Sequence, residues 1–330
     1  YLEFFSYVVI TIKESNQADE DWNTRLVQSK LATVYQSQEY AEHILHEGRK
    51  PHFLQFLDDK SIKGQLLVQT TKRFRNNTIK SKILKNISAI KQVYCYWAYG
   101  PIIFDKKFSH EIYSTLGKFL KEKKFVASGW QNPLCTNGIK DPDDYFQLKP
   151  WSTFIIDLTQ TKQKIFDSID NHSGRKNIRR SLARGVIVEP IDDDNYRKYA
   201  ELRALEQNLN LTSDELEDRI EWWRSAKRLG YSGFLALKNK KPIGGILFSS
   251  FGKHILEVGV VRSREDTVNH FYSQDLLKWK IIEWGTENKM LYYNLAGFNP
   301  KPQSSKEEGI FRYKKKWGGQ RYDFSRLFLK

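Results

Sequence analysis

The sequence predicts a mixed α/β protein built as two similar halves, and three observations carry that prediction. The chain has 330 residues, enough for two domains at roughly 100–200 residues each. Apolar segments of period two alternate with segments of helical period throughout. Both halves repeat one order: strand, helices, hairpin, strand, helix, strand. An antiparallel hairpin followed by strand, helix and strand makes a mixed sheet rather than a doubly wound parallel one. Hydrophobic residues at 40% and aromatics at 14% supply the cores and exclude a disordered chain.

The elements follow in order. Tyr1–Ile12, rich in Phe, Val, Ile and Thr, reads as a strand; Glu3 and the lack of a basic start argue against a signal peptide. Gln17–Gly48 is helical with a break near Thr33–Ser37. His52–Leu57 and Gly64–Thr70 are strands joined by a polar turn, and Arg73–Lys91 is a cationic loop or hairpin. Val93–Phe104 is an aromatic strand interrupted at Gly100-Pro101. His110–Lys124 is a helix, with Ile112, Leu116, Phe119 and Leu120 on one face. Phe125–Trp130 is a strand, and Gln131–Pro150, which has no period, marks a domain boundary.

In the second half Thr153–Leu158 is a strand, Gln163–Arg184 a single helix and Val186–Glu189 a strand. Asp192–Asn208 and Ser213–Leu229 are helices, the second capped by Ser213. Phe234–Lys238 and Ile243–Phe251 form a hairpin, and His254–Val261 a further strand. Thr267–Trp284 is a buried helix, and Met290–Leu295 and Arg321–Leu329 are the last strands.

The formal net charge is +15, and it is concentrated. Lys60–Phe104 holds nine cations and no acid, and His172–Arg184 holds five cations and no acid. Such local basicity fits a surface that meets a polyanion, although a solubilising lysine-rich surface has the same composition. In the second stretch Arg175, Lys176, Arg179 and Arg180 favour phosphate contact, because guanidinium binds phosphate as a bidentate fork. The two cysteines, Cys95 and Cys135, cannot build a disulfide framework, which points to a reducing, cytoplasmic setting. His43 and His46 share a helix face, but no third cluster supports a metal. No P-loop, GxGxxG, GxSxG, HExxH or kinase motif is present. No apolar run reaches the roughly 18–20 residues of a membrane span.

The informative stretch is Gly309–Asp323. Tyr313, Lys314, Lys315, Lys316 and Trp317 precede Gly318-Gly319, and cations flanked by aromatics suit a nucleotide ring and its phosphates. A lysine there can also stabilise an oxyanion. Exposed lysines between two core aromatics would look the same.

The run Gly-Ile-Phe-Arg-Tyr-Lys-Lys-Lys-Trp-Gly-Gly resembles the Gly–x–aromatic–x–Phe-Lys–x–x–Phe-Gly-Gly signature of the Fem family (FemA, FemB and FemX). These are aminoacyl-tRNA-dependent transferases that build peptidoglycan cross-bridges. Five further segments follow in the family's order: Tyr35-Gln36-Ser37 with Tyr40, Tyr99-Gly100-Pro101 with Asp105, Trp151–Leu158, Lys176–Val186 and Leu276–Gly297. The resemblance implies two tandem acetyltransferase-like (GNAT-like) domains with a cleft between them and no coiled-coil arm. The first would be 1–150, completed by a returning strand at about 321–330, and the second 151–320. It implies that Lys314 is the catalytic lysine, stabilising charge on the reacting ester, and that Tyr313 stacks near the terminal adenosine of the tRNA. Arg219 and Trp223 would hold the acceptor's diphosphate, and Gln36, Ser37, Tyr99 and Asp105 would line the substrate site. Arg175, Lys176, Arg179, Arg180, Lys315 and Lys316 would meet tRNA phosphates. No cofactor and no metal are implied.

The chain departs from the family on the acceptor side. Tyr99 stands for an arginine, and Leu256-Glu257-Val258-Gly259 lacks the family's tyrosines. The lysine expected shortly after Ser37 is replaced by His43 or missing. Three functions therefore stand. The first is aminoacyl transfer from charged tRNA to an amine of a cell-envelope precursor, in the cytoplasm and against the anionic inner face of the membrane. The second is acyl-CoA-dependent N-acyl transfer. It is weakened because Val260–Asn269 has no glycine to bring backbone close to a pyrophosphate. The third is non-catalytic RNA binding.

Overall fold

The computed structural model describes residues 9–72, 92–135 and 144–330. The beginning of the Tyr1–Ile12 strand, the cationic stretch Arg73–Lys91 and the middle of the expected boundary lie outside the described residues. The chain divides into two compact units, Tyr1–Trp151 with Tyr322–Lys330, and Ser152–Arg321.

The first unit orders its strands β1 (Ile10–Ser15), β2 (Lys50–Asp58), β3 (Ser61–Thr71), β4 (Tyr94–Trp97) and β6 (Val126–Trp130), with the short β5 (Ile102–Ile103) also on β3. Neighbours are antiparallel except β4 and β6, which run parallel and are joined in sequence through helix Ser109–Glu122. The end of the chain, β13 (Gln320–Leu329), adds Arg326–Phe328 antiparallel to β6. Helix Ser109–Glu122 buries Ile112, Leu116 and Leu120 on the same core as Trp97, Phe146 and Leu327.

The second unit repeats the order. Strands β8 (Ile187–Pro190), β9 (Tyr231–Lys238), β10 (Lys241–Phe251) and β11 (His254–Arg262) are antiparallel neighbours. Strand β12 (Tyr292–Phe298) runs parallel to β11, with helix Ser273–Glu287 between them in sequence, and β7 (Phe146–Asp157) closes that edge antiparallel. The predicted mixed α/β class and its duplication are therefore both present.

Several expectations are corrected. The strand expected at Thr153–Leu158 starts earlier, at Phe146, whose ring packs 6.3 Å from Trp97. Gln163–Arg184 is not one helix. It divides into Lys162–Ser168, a π turn at Asn171–Arg175 and Lys176–Ala183. The cause is Asp170, whose carboxylate accepts from the Ser173 amide at 2.7 Å and so starts a new helix. Thr267–Trp284 likewise divides into Arg264–Val268 and Ser273–Glu287, because His270 and Tyr272 adopt left-handed backbone between them. Helix Ser213–Arg228 is capped by Thr212 rather than Ser213, in a reciprocal box with Glu215.

The motif Gly309–Asp323 belongs to three elements. Helix Ser305–Lys315 starts where Ser304 accepts from the Glu307 amide at 3.3 Å, with Glu307 and Glu308 in its positive first turn. The chain then turns through Lys316–Gly319 into β13. Gly318 has φ +73°, and an added Cβ would sit 2.5 Å from the Ser168 carbonyl oxygen. Gly318→Ala is expected to cost about 1–3 kcal/mol, from strained backbone and the clash together. Chemical denaturation measures it, and an unchanged midpoint would show that the turn is not constrained.

Candidate functional site

The two parallel strands of the second unit separate. β11 pairs with β12 only over His254–Leu256 and Tyr292–Asn294. Beyond that point β11 carries a bulge: Leu247 faces Gly259 and Phe248 faces Glu257, leaving Val258 as the extra residue. Past the last pair, β12 carries the backbone carbonyls of Ala296 and Gly297, and Lys314 fills this place. Its ammonium donates to the Ala296 oxygen at 2.9 Å and to the Gly297 oxygen at 3.0 Å. An ammonium has three N–H donors, and the third has no protein partner among the described residues. Lys314 is only 9% exposed, and burial pulls its pKa down to about 8; Glu257 raises it and Lys278 lowers it further.

Around Lys314 lies a set of charges and rings. Lys278 is 1% exposed and forms an ion pair with Glu257, which also accepts from the Tyr293 hydroxyl at 2.7 Å. The Lys278 ammonium stands 5.5 Å from the Tyr313 ring, 5.7 Å from Tyr293 and 5.9 Å from Trp317. Tyr313 also meets a second ammonium, that of Lys316, 4.2 Å from its ring centre. Lys316 pairs with Asp275 and donates to the Ser173 carbonyl at 3.0 Å. Burial holds the Asp275 carboxyl above its ordinary value and the Lys316 ammonium below its own. Among the described residues the buried Tyr313 hydroxyl has no hydrogen-bond partner, and burial drives its pKa well up. Of the three consecutive lysines, Lys314 and Lys316 therefore turn inward and Lys315 is exposed.

The arginine-rich segment presents Lys176, Arg179, Arg180 and Arg184 outward. Arg180 and Arg184 flank the Tyr272 ring at 5.8 and 5.4 Å, and Arg179 lies 5.5 Å over Phe166. Arg175 faces Asp167 at 3.4 Å and is more withdrawn than Arg179 and Arg180.

The remaining predicted residues are placed by packing. Trp223 is 1% exposed and stacks on Tyr196 at 4.8 Å within the second unit, and Arg219 lies on the same helix. In the first unit Gln36 is fully buried. Its amide donates to the Ala98 carbonyl at 2.8 Å and its oxygen accepts from the Leu67 amide at 2.7 Å. Ser37, also fully buried, caps helix Gln38–His46 through the Tyr40 amide. Tyr99 has left-handed backbone and lies 5.8 Å from Tyr35, so Tyr35, Gln36 and Tyr99 meet in one place. Asp105 accepts from the Lys107 amide at 3.2 Å and faces the exposed Lys107 ammonium at 3.4 Å.

Sequence reasoning singled out Lys314 and Tyr313 but missed Glu257, Lys278, Tyr293 and Asp275. A signal existed. Glu257 interrupts an apolar strand, and Lys278 follows Leu276-Leu277 on a helix that is apolar nearly all round. A charge at such positions needs a partner, and the two are each other's. Among the described residues no group of three His, Cys, Asp or Glu could hold a metal. Nor is any described helix long and apolar enough to cross a membrane.

No protein-family profile matches the chain, and no curated protein matches its sequence. Solved structures do match in fold. FemX superposes with a TM-score of 0.66 at 14% identity, over 95% of this chain and 96% of that one. A tandem GNAT protein from the clavulanic acid biosynthesis pathway superposes with a TM-score of 0.56 at 9% identity, covering 97% and 98%. L-PGS from Bacillus licheniformis gives 0.52 at 10% identity, covering 96% and 94%. The chain thus has the tandem GNAT-like fold that the resemblance to the Fem family implies, and no coiled-coil arm is seen among the described residues.

Proposed function

We propose that this chain is an aminoacyltransferase of the FemX kind. It moves an aminoacyl group from the 3′ ester of a charged tRNA to an amine of a cell-envelope precursor. The observation that carries the reading is the Lys314 ammonium, fixed by the Ala296 and Gly297 carbonyls with its third N–H unspent. The fold shared with FemX supports it.

Ester aminolysis develops negative charge on the carbonyl oxygen as the amine attacks. A positioned N–H at that oxygen lowers the barrier, and a setting withdrawn from water strengthens the interaction. Lys314 supplies the donor. Its two carbonyl anchors hold it in place, so little reorganisation is required during the reaction. The amine nitrogen forms the new C–N bond, the ester C–O bond breaks, and the tRNA 3′ oxygen leaves with a proton taken from the amine. Lys176, Arg179 and Arg180 form the cationic face for the phosphates of the donor.

The test is binding to one tRNA preparation, aminoacylated and deacylated, at about physiological ionic strength. Tighter binding of the aminoacylated form is expected. Replacing Lys176, Arg179 and Arg180 by alanine is expected to weaken both forms alike and to flatten the fall of affinity with salt by about three counterions' worth. Equal binding of the two tRNAs would overturn the donor assignment and leave acyl-CoA as the donor to examine. An unchanged salt slope would remove the phosphate role of this face.

A further inference from the structure

Glu257 and Lys278 bring two opposite charges into the interior, where apolar residues of the same size would pack without them. Glu257 is the first residue of β11 past its last pair with β12, and the Ala296 and Gly297 carbonyls that anchor Lys314 lie just past the same pair on β12. The titratable and charged groups of this cluster come from several elements. Strand β11 supplies Glu257, helix Ser273–Glu287 supplies Lys278 and Asp275, β12 supplies Tyr293, and its own segment supplies Tyr313 and Lys316. Asp275 is taken by Lys316. The Tyr293 hydroxyl is spent on Glu257, and the Tyr313 hydroxyl stays neutral. That leaves the Glu257 carboxylate and the Lys278 ammonium as the charges that act on Lys314 in opposite senses.

We propose that Glu257 and Lys278 are positioning residues for Lys314, an internal ion pair that sets the charge Lys314 carries when substrate arrives. Glu257 is held by two donors, Lys278 and Tyr293. Lys278 is held by Glu257 and by the rings of Tyr293, Tyr313 and Trp317. Neither charge can turn away to solvent, so each acts at a fixed distance. Tyr313 ties the device to the site directly, since it precedes Lys314 in the chain and its ring lies against both buried ammonium groups, Lys278 and Lys316. The inference rests on the reading of Lys314 as the working lysine, but its test needs no transfer activity.

The experiment is competitive labelling of the full chain with trace acetic anhydride across pH. Acetylation of Lys314 is quantified by mass spectrometry against the same lysine in the unfolded chain. Only the free amine reacts, so the pH of half-maximal labelling reports its protonation. Glu257→Gln removes the favourable charge and moves the half-point down. Lys278→Met removes the opposing charge and moves it up. A gap of about one pH unit between the two variants, with Lys278→Met the higher, is expected. Coincident half-points, or the reverse order, overturn the proposal. Should Lys278→Met not stay folded, the double variant Lys278→Met with Glu257→Gln takes its place and is expected above Glu257→Gln alone. A merely structural pair would disturb labelling of both variants in the same sense. The separation of half-points found together with no aminoacyl transfer would sink the proposed function and leave this inference standing.

Discussion

Lys314→Ala is expected to lower aminoacyl transfer by about 10²–10³-fold while leaving tRNA binding within a few-fold of the original. The reason is positional. Lys314 lies where β11 and β12 have separated, and two of its three donors are used on the Ala296 and Gly297 carbonyls. On the proposed reading the remaining donor stabilises charge that exists only in the transition state, so its loss is expected in kcat rather than in ground-state affinity. Lys314→Arg does not restore the rate, because a planar fork cannot reproduce a compact ammonium between two carbonyls. The pH profile follows with a definite sign. Lys314 is charged below its pKa of about 8 and neutral above, so transfer falls as pH rises through that value. Equal loss of binding and turnover would place Lys314 among the phosphate contacts. No loss of either would remove it from the chemistry.

Most of the fold is legible in the sequence because it is written in local periodicity. The apolar runs in His52–Leu57 and Gly64–Thr70 and the helical face of Ile112, Leu116 and Leu120 reappear as β2, β3 and a buried helix. What periodicity hides is where a helix is interrupted. Asp170 restarts a helix through a side-chain cap, and His270 and Tyr272 break another by adopting left-handed backbone. Both places also meet distant neighbours: the Asp170 amide donates to the Lys316 carbonyl at 2.8 Å, and Arg184 donates to the His270 carbonyl and lies over the Tyr272 ring. The site divides in the same way. Lys314 and Tyr313 announce themselves in a short motif of aromatics, lysines and glycines. Glu257 and Lys278 lie 21 residues apart on different elements. Nothing local marks them as partners, and only the solvation cost of a charge among apolar residues points to them. Gln36 and Ser37 show the opposite case. They stand in a short local motif, and in this chain the Gln36 amide satisfies Leu67 and Ala98 inside the core while Ser37 caps a helix.

Lys278→Met is expected to destabilise the second unit by about 3–5 kcal/mol, among the largest effects a single substitution here can have. Methionine fills nearly the same volume, so packing against Tyr293, Tyr313 and Trp317 is retained and the loss is electrostatic. It arises because the Glu257 carboxylate, 7% exposed, stays buried with the Tyr293 hydroxyl as its remaining partner among the described residues. Adding Glu257→Gln removes that orphaned charge, while the amide oxygen of the introduced glutamine still accepts from Tyr293. The double variant should therefore recover to within about 1 kcal/mol of the original. Urea unfolding of the original, the single and the double variants measures this, read on the cooperative transition of the second unit. If the single variant costs under about 1 kcal/mol, the charge at Glu257 is not confined as described. If the double variant is no more stable than the single, the loss lies in packing around Lys278. The expected recovery has a consequence for function: an ion pair whose removal as a pair costs the fold little is not retained for stability, and the cost of holding two charges inside is then borne by the site that contains Lys314.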